Sequence, residues 1–264
     1  MTDMAAIQPD SDPVIRIEKI SKEYNETWVV RDVSIAVKKG ETVAIIGPSG
    51  SGKTTVLRCI NFLVPYDLGK IYLGDELVGY RERETGGLVR RPEREIDDIR
   101  RRIGMVFQRY VLFPHLSVLR NLTIGPVKVL GKSREEAEAD AIAALRTVNL
   151  SDKINAFPHE MSGGQQQRAA IARALCMKPE VLLFDEVTSA LDPELVDEVL
   201  YTIKELAMQK YTMILVTHEM RFARDVADRV VFMEGGRVRA DQDAKEFFRN
   251  PPDERISSFI GRYV

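Results

Sequence analysis

The sequence predicts an α/β chain with a mainly parallel core sheet, an antiparallel β subdomain beside it and a helical lobe inserted into it. Three observations carry this. Thr42–Ile46, Ile103–Phe107, Val181–Phe184 and Met213–Val216 are short, near-continuous apolar runs separated by helical patterns, as strands buried on both faces of a parallel sheet require. Val14–Glu18, and Trp28–Val30 through Val33–Val37, instead alternate apolar with polar residues, the pattern of half-buried antiparallel strands. Residues 110–162 contain no apolar strand and are mostly helical in pattern.

Taken in order, residues 1–13 read as a flexible leader and 14–264 as one domain. Segments 14–109 and 163–264 form the core and the antiparallel β subdomain, and 110–162 form the inserted lobe. Lys70–Tyr80 reads as short strands punctuated by Gly74 and Gly79. In residues 81–102 acids and bases interleave, which predicts a solvated arm and an exposed helix. Arg134–Leu150 has helical spacing, with Ser133 as its N-cap. After residue 219 come a strand at Val230–Met233, a hairpin at Glu234–Arg237 and two short helices. Ile256, Phe259, Ile260 and Tyr263 form an apolar face that packs on its own domain or on a second copy.

Composition sets limits. With 264 residues, 44% of them hydrophobic, the chain can bury a sizeable core. Its 38 basic and 40 acidic residues nearly cancel, so no overall field favours nucleic acid or an anionic membrane surface. The polar N-terminus lacks an export signal, and no apolar run approaches the ~18 residues that span a bilayer. A cytoplasmic location follows unless partners hold the chain at a membrane. Cys59 and Cys176 sit in apolar helical contexts and are expected in the core, and His115 and His159 on surface or loops.

The chemistry gathers at the ends of the apolar runs. Gly47-Pro48-Ser49-Gly50-Ser51-Gly52-Lys53-Thr54-Thr55 follows one run and opens a helix, the order a phosphate-binding loop needs. Its glycines let backbone N–H groups curl around a polyphosphate, Lys53 reaches the β- and γ-phosphates, and the Thr54 hydroxyl completes a Mg²⁺ shell. A nucleoside triphosphate is the expected ligand. At the next run ends Asp185 can hold Mg²⁺ and Glu186 can deprotonate an attacking water. Gln108 can place that water or touch the metal, and His218 can hydrogen-bond the γ-phosphate. Tyr24 could stack on a purine, or simply pack. A second anion-binding helix start is expected at Ser162-Gly163-Gly164-Gln165, with Ser162 as N-cap. The segment reads either as a simple helix cap or, if it lies on the helical lobe away from the first loop, as the site for a nucleotide bound by another copy, which predicts a head-to-tail dimer with two nucleotides between the chains.

Together these residues resemble the ATP-binding-cassette family of P-loop NTPases over nearly the whole chain. Tyr24 corresponds to the adenine-stacking position, Gly47–Thr54 to Walker A and Gln108 to the Q-loop. Ser162–Gln165 match the family signature, Phe184–Glu186 close Walker B, Ser189–Asp192 match the D-loop, and His218 is similar to the switch histidine. Leu112–Leu116, Phe157–Ser162 and Val216–Met220 resemble the subfamily that energises bacterial uptake of polar amino acids, and the charged arm resembles importers of basic amino acids; compatible-solute importers remain open. Two departures are Met161, where Leu is usual, and Val187, where Pro is usual and whose N–H and free φ could change how rigidly Glu186 is held.

The resemblance implies an ATPase using ATP and Mg²⁺, peripheral on the cytoplasmic face of the inner membrane. Its implied partners are a second copy, two transmembrane permease subunits and, indirectly, a periplasmic solute-binding protein, with no nucleic acid. Residues 108–121, including Tyr110, Leu112 and Phe113, would line the groove that grips the permease, or pack inside the lobe. The rival readings are a soluble non-transport ATPase of the same family, a binding switch without turnover, and a small-molecule kinase, which leaves Ser162–Gln165 without a task.

Overall fold

The computed structural model describes residues 13–109 and 112–261, so the leader before Pro13, Tyr110 of the expected groove and Tyr263 of the expected apolar face lie outside the described residues. The chain opens with β1 (Ile15–Tyr24), β2 (Thr27–Val37), β3 (Thr42–Ile46), α1 (Lys53–Ile60), β4 (Leu68–Leu73), β5 (Glu76–Leu77), β6 (Tyr80–Glu82), β7 (Leu88–Arg90), α2 (Glu93–Arg100) and β8 (Ile103–Val106). Three helices follow, α3 (Val118–Val129), α4 (Arg134–Thr147) and α5 (Gly163–Cys176). The remainder is β9 (Val181–Asp185), α6 (Pro193–Met208), β10 (Met213–Val216), α7 (Met220–Val226), β11 (Arg229–Glu234), β12 (Arg237–Asp243), α8 (Ala244–Arg249) and α9 (Glu254–Ile260).

Six strands form the core sheet in the order β12-β11-β3-β10-β9-β8, all neighbours parallel except the edge strand β12. Alternate residues of each strand feed opposite faces, as the two-residue period of a strand dictates. On one face Val43, Ile45, Leu183, Ile214 and Val231 join α1 and the antiparallel sheet. On the other, Leu182, Phe184 and Leu215 join α3 to α6 in one cluster, while Ala44, Ile46, Val230 and Phe232 meet the helices that end the chain. Helix α5 packs on α3 and α4 as well as on α6 and β8, so the inserted helices share one apolar layer with the sheet.

The antiparallel sheet runs β2-β1-β4-β5. Asn25 (φ 47°) and Glu26 (φ 62°) supply the two left-handed residues of a tight hairpin between β1 and β2. The stretch expected from Trp28 through Val37 is the single strand β2, in which a bulge at Arg31-Asp32, with Asp32 at φ 53°, resets the alternation without ending the strand.

The charged segment is more ordered than a solvated arm. β6 and β7 pair as a hairpin, and α2 turns Ile96 and Ile99 into the core while its acids meet Arg81, Arg91 and Arg100. Beyond residue 219 the described residues hold three short helices where two were expected. The seven-residue α7 spans barely two turns and breaks its apolar residues with Arg221, Arg224 and Asp225, too short a window for periodicity to show. Ile256, Phe259 and Ile260 are buried on their own domain, Cys59 and Cys176 are buried, and His115 and His159 are exposed.

Candidate active site

The parallel order of β3, β10, β9 and β8 fixes where the chemistry lies. Their carboxyl ends deliver, side by side, the Gly47 loop, Thr217-His218, Asp185-Glu186 and Phe107-Gln108. Open parallel sheets bind ligands at this edge.

The loop is held by backbone too close for side chains. Gly47 has φ 146°, and a Cβ there would stand 2.0 Å from the Met233 carbonyl oxygen; at Gly52, φ 94°, it would stand 2.7 Å from that of Val29. Gly52 occupies the N-cap of α1 and offers no side chain, and the first helical bond runs from Val56 N–H to the Gly52 carbonyl. The N–H groups of Lys53, Thr54 and Thr55 therefore have no partner within the helix and add to its positive end. Ser51 Oγ is buried without a hydrogen-bond partner, while Ser49 and Gly50 are exposed at the tip.

Lys53 is 4% exposed and donates from Nζ to the carbonyls of Gly47 (3.0 Å) and Pro48 (2.9 Å). Burial lowers its pKa from the ordinary lysine value, against the pull of Glu186 and Asp185. Thr54 Oγ1 donates to Asp185 Oδ1 at 2.7 Å, and Arg58 lies 3.7 Å from the other carboxylate oxygen. Burial raises the Asp185 pKa from the usual carboxylate range, opposed by the Thr54 hydrogen bond and Arg58. Glu186 Oε1 lies 2.9 Å from His218 Nε2, and Glu186 itself is left-handed at φ 48°. Such strain at a non-glycine residue persists only where surroundings enforce it: Glu186 N–H donates to the Val216 carbonyl (2.9 Å), the Ser189 hydroxyl to the Glu186 carbonyl (2.8 Å), and Val187 is buried in the apolar layer.

An Mg–nucleotide fits what is present. An orphaned hydroxyl and an uncapped helix start suit phosphate oxygens, the buried ammonium supplies positive charge, and the Thr54–Asp185 pair offers the hard oxygen donors that Mg²⁺ takes.

The second helix start lies at α5. Ser162 Oγ accepts from Gln165 N–H (3.2 Å) and Gln165 Oε1 accepts from Ser162 N–H (3.1 Å), a closed capping box. Gly163 is half-buried. Gly164 is buried where a Cβ would stand 3.3 Å from Leu195, so α5 abuts the first turn of α6. Asp192 is the N-cap of α6, yet its exposed carboxylate makes no capping hydrogen bond.

A family model described as ABC transporter matches residues 30–189. This chain belongs to the ABC transporter family. It is 47% identical over 251 residues to a glutamine transport ATP-binding protein of Geobacillus stearothermophilus, covering 95% of this chain and 99% of that one. It is 48% identical over 250 residues to the L-cystine transport system ATP-binding protein of Escherichia coli (strain K12), covering 95% and 98%. Among solved structures it matches the ATP-binding cassette MJ0796, described as dimeric in a post-hydrolysis state bound to ADP and Pi. That match has a TM-score of 0.74 and 32% identity, over 88% of this chain and 99% of that one. As an ABC cassette, the chain is an ATPase on an α/β P-loop fold.

Against that family the placement of each expected residue is plain. The Gly47–Thr55 loop, Asp185, Glu186 and His218 meet at one edge through the bonds above, and Gln108 lies exposed at the end of the neighbouring strand. Tyr24 is 43% exposed in the β1–β2 hairpin, whose return strand touches Gly52 at Val29. Ser162–Gln165 stand apart, at the start of α5. The expectations omitted Arg58 beside Asp185, the Thr188 hydroxyl 3.4 Å from Glu219, and Gln167, whose Nε2 donates to the Phe107 carbonyl at 3.0 Å. Only Arg58 carried a sequence signal, one helical turn after Thr54.

Proposed function

We propose that the chain is the ATP-hydrolysing subunit of a bacterial importer for polar or basic amino acids or related solutes, working as a head-to-tail dimer with two shared ATP sites. The observation that carries the chemistry is the 2.9 Å contact of Glu186 with His218, just past the ends of β9 and β10, of which β10 pairs with the strand leading into the Lys53 loop. Glu186 is the general base that takes a proton from the attacking water, and His218 holds its carboxylate and reaches for the γ-phosphate. Lys53 exchanges the loop carbonyls for phosphate oxygens. Thr54, Asp185 and Gln108 would hold Mg²⁺, which would supply positive charge against the phosphates. Tyr24 stacks on adenine, and the N–H groups of Ser162–Gln165, with Asp192, meet the partner's nucleotide.

Support for the cargo class comes from the relatives, glutamine and L-cystine transport ATP-binding proteins among them. Among the described residues no helix is long and apolar enough to cross a membrane. Membrane passage therefore belongs to two permease subunits, with the chain on their cytoplasmic face and a solute-binding protein delivering cargo outside. Residues 110–162 form the lobe, and Phe113, 43% exposed, with Leu112 lines the groove for the permease.

Co-expression with neighbouring permease genes tests this. The expected result is a stable complex whose Mg-ATP hydrolysis rises with a polar amino acid and its binding protein, and falls on the order of 10²-fold or more in Glu186→Gln. Turnover unaffected by Glu186→Gln would reject the assigned base, and a complex indifferent to every amino acid would reject the cargo class.

A further inference from the structure

Gln167 belongs to no part of the nucleotide site described above. It is fully buried on α5, one turn beyond Ser162–Gln165, and its Nε2 donates to the carbonyl of Phe107, the residue before Gln108. Its Oε1 is buried with no hydrogen-bond partner. The carbonyl it meets fixes the orientation of the amide, since a flipped amide would set oxygen against oxygen. A residue kept only for packing would not be an amide here, because an unsatisfied buried acceptor lowers stability and an apolar side chain of similar size would fill the space. Helix α5 is anchored at its other contacts: Arg168 donates to the Val148 carbonyl (2.9 Å) and the Glu198 carboxylate (2.8 Å), and Gly164 abuts Leu195.

We propose that Gln167 is a positioning residue for ATP hydrolysis. It ties the backbone that presents Gln108 to the helix whose N-terminus grasps the partner's nucleotide, so that Gln108 is in place only when α5 is. One side chain thereby links the half-site that holds the chain's own nucleotide to the half-site it lends. This rests on the shared-site reading above. Removing the tether leaves nucleotide binding at the Lys53 loop intact and slows turnover by misplacing Gln108.

The test is a double-mutant cycle on the full chain. Gln167→Met keeps length and apolar volume without the donor. It is expected to lower kcat about tenfold, with ATP affinity within about twofold and the thermal midpoint unchanged or raised. Gln108→Ala added to Gln167→Met should cost no more than Gln108→Ala alone. Gln167→Glu supplies a second handle: its carboxyl can donate to the Phe107 carbonyl only when protonated, so its kcat relative to wild type should rise as pH falls from 8 to 6. Amide exchange at Gln108 reads the tether without turnover and should quicken in Gln167→Met. Unchanged kcat, additive losses with Gln108→Ala, a flat pH ratio or unaltered exchange would each overturn the proposal. Absence of ATP hydrolysis in the wild type would instead reject the functional reading and leave the exchange experiment to decide the tether.

Discussion

Burial puts a cost on the charged form of Asp185 that the Thr54 hydrogen bond and Arg58 offset only in part. Its folded pKa lies above the unfolded value, raised mainly by burial, so between the two the folded chain binds more protons and stability falls as pH rises. The cost is absent below the unfolded value of about 3.9 and complete above the folded one. Asp185→Asn keeps an oxygen for the Thr54 hydroxyl and removes the charge. Its melting temperature without nucleotide should exceed that of the wild type near pH 7, the gap closing towards pH 4, while Mg-ATP hydrolysis drops on the order of 10²-fold. A lower melting temperature at pH 7 would contradict this. Gly47 is constrained differently, by a backbone oxygen 2.0 Å from where a Cβ would lie. Gly47→Ala should lose about 3 kcal/mol or more in urea unfolding, and a loss under 1 kcal/mol would show that the strand ends give way more easily than argued. The glycines, Lys53, Asp185, Glu186 and His218 were legible because each lies in the loop or turn that an apolar run leads into. Arg58, Thr188 and Gln167 act through partners far along the chain, or through a weak local signal, and no single-sequence period reports such pairs.

Elements were legible in proportion to how continuous their pattern is. The four buried strands read as unbroken apolar runs because helices cover both faces, and the capped starts of α4 and α5 read from Ser133 and Ser162. The short α7 and the β6–β7 hairpin did not, since ion pairs and turn geometry, rather than an apolar stripe, hold them. At α5 the Ser162 hydroxyl is already engaged with Gln165 N–H, so its role as helix cap and its proposed role towards nucleotide can be separated. Ser162→Ala should cost about 1 kcal/mol of stability from the lost cap. Ser162→Thr keeps the hydroxyl and should restore stability; if both variants retain wild-type turnover, the Ser162 hydroxyl has no part in catalysis and only the backbone N–H groups of this helix start remain for the nucleotide.

At the scale of the whole molecule one apolar layer runs from α3 and α4 through α5 to β9 and β10. A displacement of the inserted helices therefore bears on the strand ends that carry Asp185 and His218. The central claim is that each ATP is completed by two chains. The measurement that tests it most directly is Mg-ATP hydrolysis by Lys53→Ala and Ser162→Arg variants, assayed apart and then mixed under conditions of verified subunit exchange. A mixed dimer holds one site with Lys53 from one chain and Ser162 from the other. Each variant alone should be inactive, and the mixture should recover about a quarter of wild-type turnover if sites act independently. No recovery, with exchange demonstrated, would contradict independent shared sites.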